Sequence, residues 1–180
     1  MRKKTGMRIL RIFCLVFGLF LTLSSCKRAS DDPLRFREEA FSVTLSGSLN
    51  GLSIKAEGSV SPLSEGGLLL RLHYLEGECG ALSGLSCSAT LHDGGRLSSP
   101  ALTLGELSLT PREDTARSLL APLLCLLPTD APRAVESTQE GLLLTLQSGA
   151  QLLLRPTPQG GFFPKRYLSA SLSVNVSREE

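Results

Sequence analysis

The segment FSVTLSGSLNGLSIKAEGSV, residues 41–60, carries the strongest structural signal in the chain. Apolar and small residues alternate with polar ones on both sides of Asn50-Gly51, a preferred two-residue hairpin turn. That turn predicts three cross-strand pairs: Leu49 with Leu52, Leu45 with Ala56, and Phe41 with Val60. Every apolar residue then lies on one face, and a shift of register by one residue would lose this agreement. The segment therefore predicts a β-hairpin.

Alternating apolar residues predict further strands after this hairpin. They cover residues 68–74, 85–91, 102–109, 134–138, 142–147, 151–155 and 168–176. Residues 102–109 are expected to form one strand that Gly105 interrupts, and residues 168–176 one continuous strand. Most of the chain is therefore expected to be antiparallel sheet.

One helix is expected to interrupt the strands. Thr110-Pro111-Arg112-Glu113 fits a capping box with Pro at the first helical position. Apolar residues then recur at helical spacing: Ala116, Leu119, Leu120, Leu123, Leu124 and Leu127. Pro122 is expected to kink the helix or split it in two, and Pro128 to end it.

Antiparallel strands that are apolar on one face need an element to cover that face, and the apolar stripe of a helix needs burial too. The sequence therefore predicts a mainly β (α+β) fold. It is a curved antiparallel open half-barrel with one kinked amphipathic helix covering the concave face.

The N-terminus has the pattern of an export signal. Residues 2–11 contain five basic residues and no acidic one, and an apolar run follows over residues 12–23. This run of 12 residues is shorter than the roughly 20 that a membrane-spanning helix needs. The sequence therefore predicts a cleaved signal peptide over residues 1–25.

Leu23-Ser24-Ser25-Cys26 resembles the lipobox of bacterial lipoproteins, in which the Cys is acylated and becomes the first mature residue. The resemblance implies a lipid anchor on Cys26 and attachment to the extracytoplasmic face of the cell membrane, or to the outer membrane in a diderm bacterium. Residues 26–37 are then the lipidated Cys and a flexible tether, and residues 38–180 form the domain.

The charge of the mature chain excludes some partners. Five of the 19 basic residues lie in the signal, which leaves 14 against 17 acidic residues, a net charge of −3. No basic field remains that would bind nucleic acid.

The cysteines and histidines give no recognisable site. Cys79, Cys87 and Cys125 remain after Cys26, and an odd number allows at most one internal pair, with Cys79–Cys87 left open. His73 and His92 do not complete a tight zinc-binding spacing with them. The chain also has no Gly-x-Ser-x-Gly elbow and no phosphate-binding glycine loop. We therefore expect no enzyme activity, no metal and no cofactor.

The order of these elements resembles the superfamily of the LolA and LolB lipoprotein carriers and the regulator RseB, in the form of a small single-domain lipoprotein. The resemblance rests on the lipobox, the hairpin of residues 41–60, the Ala-Leu-Ser-Gly-Leu segment of residues 81–85, and Leu127-Pro128 at the helix end. Unlike the carriers, the chain has no long helix before the first strand and no Arg that matches their lid contact.

The resemblance implies a hydrophobic cavity between sheet and helix. The candidate lining residues are Phe41, Val43, Leu45, Leu72, Tyr74, Leu120, Leu124, Leu172 and Val174. Such a cavity would bind an acyl chain, a lipid or a lipoprotein. The alternative is a protein-interaction or sensor module of the cell envelope with a packed core and no ligand. An exposed apolar patch or an unpaired sheet edge would favour that alternative.

Overall fold

The computed structural model describes residues 32–178; the predicted signal peptide and Cys26 lie outside this range. The strands are β1 (Phe41–Leu49), β2 (Leu52–Pro62), β3 (Leu68–Tyr74), β4 (Leu85–Leu91), β5 (Leu97–Leu104), β6 (Leu107–Leu109), β7 (Ala134–Thr138), β8 (Gly141–Thr145), β9 (Gln151–Pro156), β10 (Phe162–Leu168) and β11 (Leu172–Arg178). The helices are α1 (Glu113–Leu119) and α2 (Ala121–Leu124). The predicted mainly β fold is confirmed.

These eleven strands form one antiparallel sheet in the order β6-β5-β4-β3-β2-β1-β11-β10-β9-β8-β7. The sheet is open, with β6 and β7 at its two edges. Strand β1 is the sixth of the eleven strands and so lies at the centre of the sheet. It pairs with β2 on one side and with the last strand, β11, on the other.

The hairpin predicted for residues 41–60 is confirmed. Asn50 and Gly51 have φ angles of 50° and 81°, as a two-residue type I′ turn requires at both central positions. The observed register pairs Leu49 with Leu52, Leu45 with Ala56 and Phe41 with Val60.

Two of the predicted strands differ from the structure. Residues 102–109 form the end of β5 and the whole of β6, because the chain reverses at Gly105, where φ is 57°. Residues 168–176 are also divided. Ser169 forms a turn in which its hydroxyl and Leu172 hydrogen bond, so β10 ends at Leu168 and β11 begins at Leu172. Strand β10 was not predicted.

The helical region forms two short helices, which is the second of the two effects expected of Pro122, and it does not form one kinked helix. Pro122 lies in the first turn of α2, where its missing N–H leaves no hydrogen bond unmade. The capping-box prediction is wrong, because α1 begins at Glu113 with no side-chain cap. The Glu113 carboxylate instead accepts hydrogen bonds from the Leu97 N–H and from Arg117.

The core lies on one face of the sheet, which we call the inner face. Buried residues of the strands, among them Leu45, Ala56 and Leu72, pack there in one hydrophobic cluster with residues of the helical region. The Tyr74 hydroxyl donates a 2.6 Å hydrogen bond to the Leu119 carbonyl. The helical contribution to the core includes Leu126, which the helical pattern had not predicted.

The chain before β1 packs against the domain. Residues Arg35–Glu38 form a 3-10 helix, and the Phe36 ring lies edge-on to Phe41 and Phe163, with ring centroids 6.0 and 5.8 Å apart. The Arg37 guanidinium donates a 2.6 Å hydrogen bond to the Pro128 carbonyl. The C-terminal part of the segment predicted as a tether is therefore anchored to the domain.

Candidate functional site

The nine predicted cavity residues lie together in the core. Eight of them are at most 7% exposed, and the ninth, Leu124, is half-buried and packs against the same cluster. The residues predicted to line a cavity are therefore part of the hydrophobic core.

The predicted lipidation site, Cys26, lies outside the described residues. Among residues 32–178, no helix is long and apolar enough to cross a membrane.

The three described cysteines are free thiols. Cys79 Sγ donates to the Lys55 carbonyl at 2.9 Å and accepts from the Lys55 N–H at 3.0 Å, so it bonds to the backbone of β2 just beyond the end of β3. Burial raises the pKa of Cys87 to about 11. Burial likewise raises the pKa of Cys125 far above its usual range. The Cys87 and Cys125 thiols are therefore protonated at neutral pH.

The first candidate interaction surface is an apolar patch at one edge of the sheet. Leu104, Leu107 and Leu109 are 49%, 69% and 64% exposed, and we call them the leucine edge. Leu104 pairs with Leu107, while Leu109 pairs with Leu102, whose neighbour on β4 is the buried Cys87. All these side chains therefore lie on the inner face. The apolar face of the sheet continues here beyond its packed core.

The second candidate surface is a groove of about 400 Å³ on the opposite, outer face of strands β1 to β5. The side chains that rise from the sheet around it form what we call the polar groove: Ser42, Glu57, Ser59, Arg71, His73, Ser86, Ser88, Ala101 and Thr103. Gly58, Val43, Leu72 and Cys87 form its floor.

Strand register arranges the polar groove in two rows. One row crosses the strands through Glu57, His73, Ser86 and Thr103. The other crosses them through Ser42, Ser59, Arg71, Ser88 and Ala101. Directly opposed side chains in an antiparallel sheet are about 5 Å apart. Residues that are distant in sequence therefore become neighbours.

The first row places the residue types of a serine hydrolase side by side. His73 Nδ1 and Ser86 Oγ are 2.8 Å apart. However, within residues 32–178 no hydrogen bond joins His73 to Glu57. Ser86 also lies inside β4, paired with His73 on β3 and Thr103 on β5. A catalytic serine needs an oriented base and free donors for the oxyanion. The His73–Ser86 contact is therefore only a hydrogen bond between neighbouring strands.

His92 has a similar local role and lies elsewhere. Its Nε2 is 2.6 Å from the Ser98 hydroxyl at the start of β5. No group of three or more metal-binding side chains occurs within the described part of the chain. Both histidines are held by serines on the adjacent strand.

Comparisons of this chain with protein-family models, with curated proteins and with solved structures find no match.

Proposed function

We propose that this protein is a non-enzymatic, lipid-anchored module of the cell envelope that binds an extended segment of a partner protein at the leucine edge. The observation that carries the proposal is the exposure of Leu104, Leu107 and Leu109 on the inner face of an edge hairpin, beside a core that is already packed. Exposed apolar patches on otherwise polar surfaces are typical of interaction sites.

The chemistry of the edge favours an added β-strand as the occupant. Strand β6 pairs with β5 alone among the described strands, so its other side presents backbone N–H and C=O groups. A partner strand would bond to these groups and cover Leu107 and Leu109 with its own alternate apolar side chains. An acyl chain would cover the leucines but leave the backbone groups unpaired.

Length and charge narrow the partner segment further. The three residues of β6 extend for about 10 Å, so only a short stretch of a partner can pair with them. Glu106 is exposed in the turn that joins β5 to β6. A segment with alternating apolar residues and a basic residue at one end complements both features.

The protein is held at the membrane by lipid on Cys26. The export-signal pattern and the lipobox-like segment within residues 1–26 support this anchor. Cys26→Ser should abolish incorporation of labelled palmitate and release the chain from the membrane fraction. Equal labelling of the wild type and this variant would contradict the anchor.

We further propose that the sheet is a half-barrel of the kind in the LolA, LolB and RseB superfamily, with α1 and α2 over its concave face. The close approach of Leu123 to Gly58 supports this arrangement: its Cδ1 atom lies 3.1 Å from the position of a Cβ at Gly58. The hydrogen bond from Tyr74 to Leu119 supports it too.

A photo-crosslinking residue at position 107 tests the binding proposal in cells. Position 52 is the matched control, since Leu52 is 58% exposed at the remote tip of the β1–β2 hairpin. We expect a discrete protein adduct from position 107 and none from position 52. A synthetic peptide from the crosslinked stretch should then bind the wild type and lose at least tenfold in affinity with Leu107→Asp, but not with Leu52→Asp.

Three outcomes would overturn the proposal. An adduct with the mass of two copies of this chain would show self-association through the edge. An adduct with a lipid would restore the hydrophobic-ligand hypothesis. Equal crosslinking at positions 107 and 52 would show that the leucine edge binds nothing specifically.

A further inference from the structure

The polar groove is a second surface, on the face of the sheet opposite to the leucine edge. Strand β5 contributes to both, because Leu102 and Leu104 point to the inner face while Ala101 and Thr103 line the groove. Partner binding at the leucine edge makes no use of the groove. Its residues therefore need a separate explanation.

Among the described residues that line the groove, Arg71 is the one arginine, and no lysine lies beside it. It makes no ion pair with any residue of the described range 32–178, although Glu57 lies diagonally across from it. Its cross-strand neighbours are Ser59 on β2 and Ser88 on β4. The Arg71 side chain is exposed, and within residues 32–178 no ion pair holds its guanidinium.

This arrangement selects an anionic oxygen group. A guanidinium presents a planar fork of donors that matches two oxygens of a carboxylate or a phosphate. The hydroxyls of Ser59 and Ser88 can donate to further oxygens of the same group. A lysine at position 71 would supply the charge without the fork.

The neighbouring row selects a different part of the ligand. The Glu57 carboxylate only accepts hydrogen bonds, so it requires a donor and repels a second anion. The Ser86 and Thr103 hydroxyls both donate and accept, and the bond between His73 Nδ1 and Ser86 holds the imidazole in place. Ligand hydroxyls satisfy all of these groups.

We propose that the polar groove binds a small anionic polyol, such as an acidic or phosphorylated monosaccharide unit, with its anionic group on Arg71 and its hydroxyls on the row from Glu57 to Thr103. The groove volume of about 400 Å³ falls in the range of small-molecule sites. The carboxylate and the phosphate share this chemistry, and different probes distinguish them.

Calorimetric titration of the full chain, purified in a non-ionic detergent, tests the proposal with four probes: glucuronate, glucose 6-phosphate, glucose and inorganic phosphate. We expect at least one of the two anionic sugars to bind more tightly than both glucose and phosphate. The tighter of the two identifies the anionic group. Failure of both anionic sugars to bind at about 10 mM, a concentration that would reveal even millimolar affinity, overturns the proposal. Equal affinity for glucose overturns it too.

Substitutions at Arg71 locate the site. Arg71→Gln should weaken binding of the preferred sugar roughly 10- to 100-fold, the range for loss of a hydrogen bond to a charged group. Arg71→Lys should give an intermediate loss, because the charge remains without the fork. Arg155→Gln is the control, since Arg155 is exposed on β9, outside the groove. Equal affinity of the wild type and Arg71→Gln for the sugar would show that the sugar does not bind in the polar groove. Loss of sugar binding leaves peptide binding at the leucine edge unaffected.

Discussion

Replacing Leu123 with Ala tests whether the helical region stabilises the sheet by packing on its inner face. Leu123 is fully buried. Its Cδ1 atom approaches β2 at Gly58, and side-chain atoms of Leu72 and Val43 lie within 3.5 Å of the same point. The variant removes the methyl groups that fill this junction between helix and sheet.

The expected loss of stability follows from the burial. Substitution of Ala for a buried Leu costs about 2–5 kcal/mol in the free energy of unfolding. Because Val43 and Leu72 on the neighbouring strands of the sheet limit how far the vacated space can collapse, we expect a loss of about 3 kcal/mol. For a chain of 180 residues this corresponds to a decrease in Tm of roughly 6–12 °C. Circular dichroism during heating and urea titration measures both quantities.

Combining Gly58→Val with Leu123→Ala measures the interaction energy between these two positions. The added methyl groups meet Leu123 Cδ1, so the single variant should lose about 1–3 kcal/mol through overpacking. In the Leu123→Ala background the vacated space accepts them. The double variant should therefore be more stable than the sum of the two losses predicts, by about 1–2 kcal/mol.

Two results would refute this reasoning. If Leu123→Ala melts at the same temperature as the wild type, the packing of Leu123 in the core is contradicted. Losses that add within about 0.5 kcal/mol would show that Leu123 and Gly58 do not touch. Leu109→Ala is the control, because Leu109 is 64% exposed and its truncation should change stability by less than about 0.5 kcal/mol.

Three further predictions concern charge, thiols and the central turn. The hydrogen bonds from the Leu97 N–H and Arg117 lower the pKa of Glu113. The ionised carboxylate therefore stabilises the fold above its unfolded-state pKa, and this contribution is lost as the pH falls through the lower folded-state pKa. In urea titrations from pH 7 to 3, Glu113→Gln should lose less of its free energy of unfolding than the wild type does. Equal losses in the two proteins would contradict the role of this carboxylate. Cys79 and Cys87, which are both buried, should react with a thiol reagent at pH 8 only after unfolding, and rapid labelling of either residue in the native chain would contradict their burial. Gly51→Ala, at a φ of 81°, should cost about 1 kcal/mol or more in thermal unfolding, whereas an unchanged melting curve would contradict the type I′ turn.

The sequence predicts best where local chemistry determines the structure. At Asn50-Gly51, turn preference and alternation on both sides agree, and the register follows to the residue. At Gly105 the apolar positions change from 102 and 104 to 107 and 109, the shift that a two-residue turn produces, and the expectation of one interrupted strand overlooked it. At Ser169 the alternation of Leu168, Ala170 and Leu172 continues in the sequence, although Leu168 pairs with Ser173 and therefore lies on the face opposite to Leu172. Alternation alone does not reveal this second turn.

The candidate surfaces were less accessible to sequence reasoning. Arg71 lies beside Ser59 and Ser88 only through the register of three strands. Within a single strand, each of these serines fits the pattern of a solvent-exposed face of an amphipathic sheet. The exposure of the leucines at positions 104, 107 and 109 could not be predicted, because the pattern shows which face a residue takes but not where the cover over that face ends. The predicted cavity residues did lie together, in the core.

The central position of β1 has a consequence for how the protein is made. The first described strand pairs with the last, Val43 with Arg178 and Leu49 with Leu172, so the middle of the sheet is completed only after residues 172–178 have been synthesised. Until then β1 is an open edge on which another chain can pair. Contacts between such distant residues form slowly. A truncation that removes β11 would split the sheet at its centre, because β1 and β10 would each lose a pairing partner and become unpaired edges.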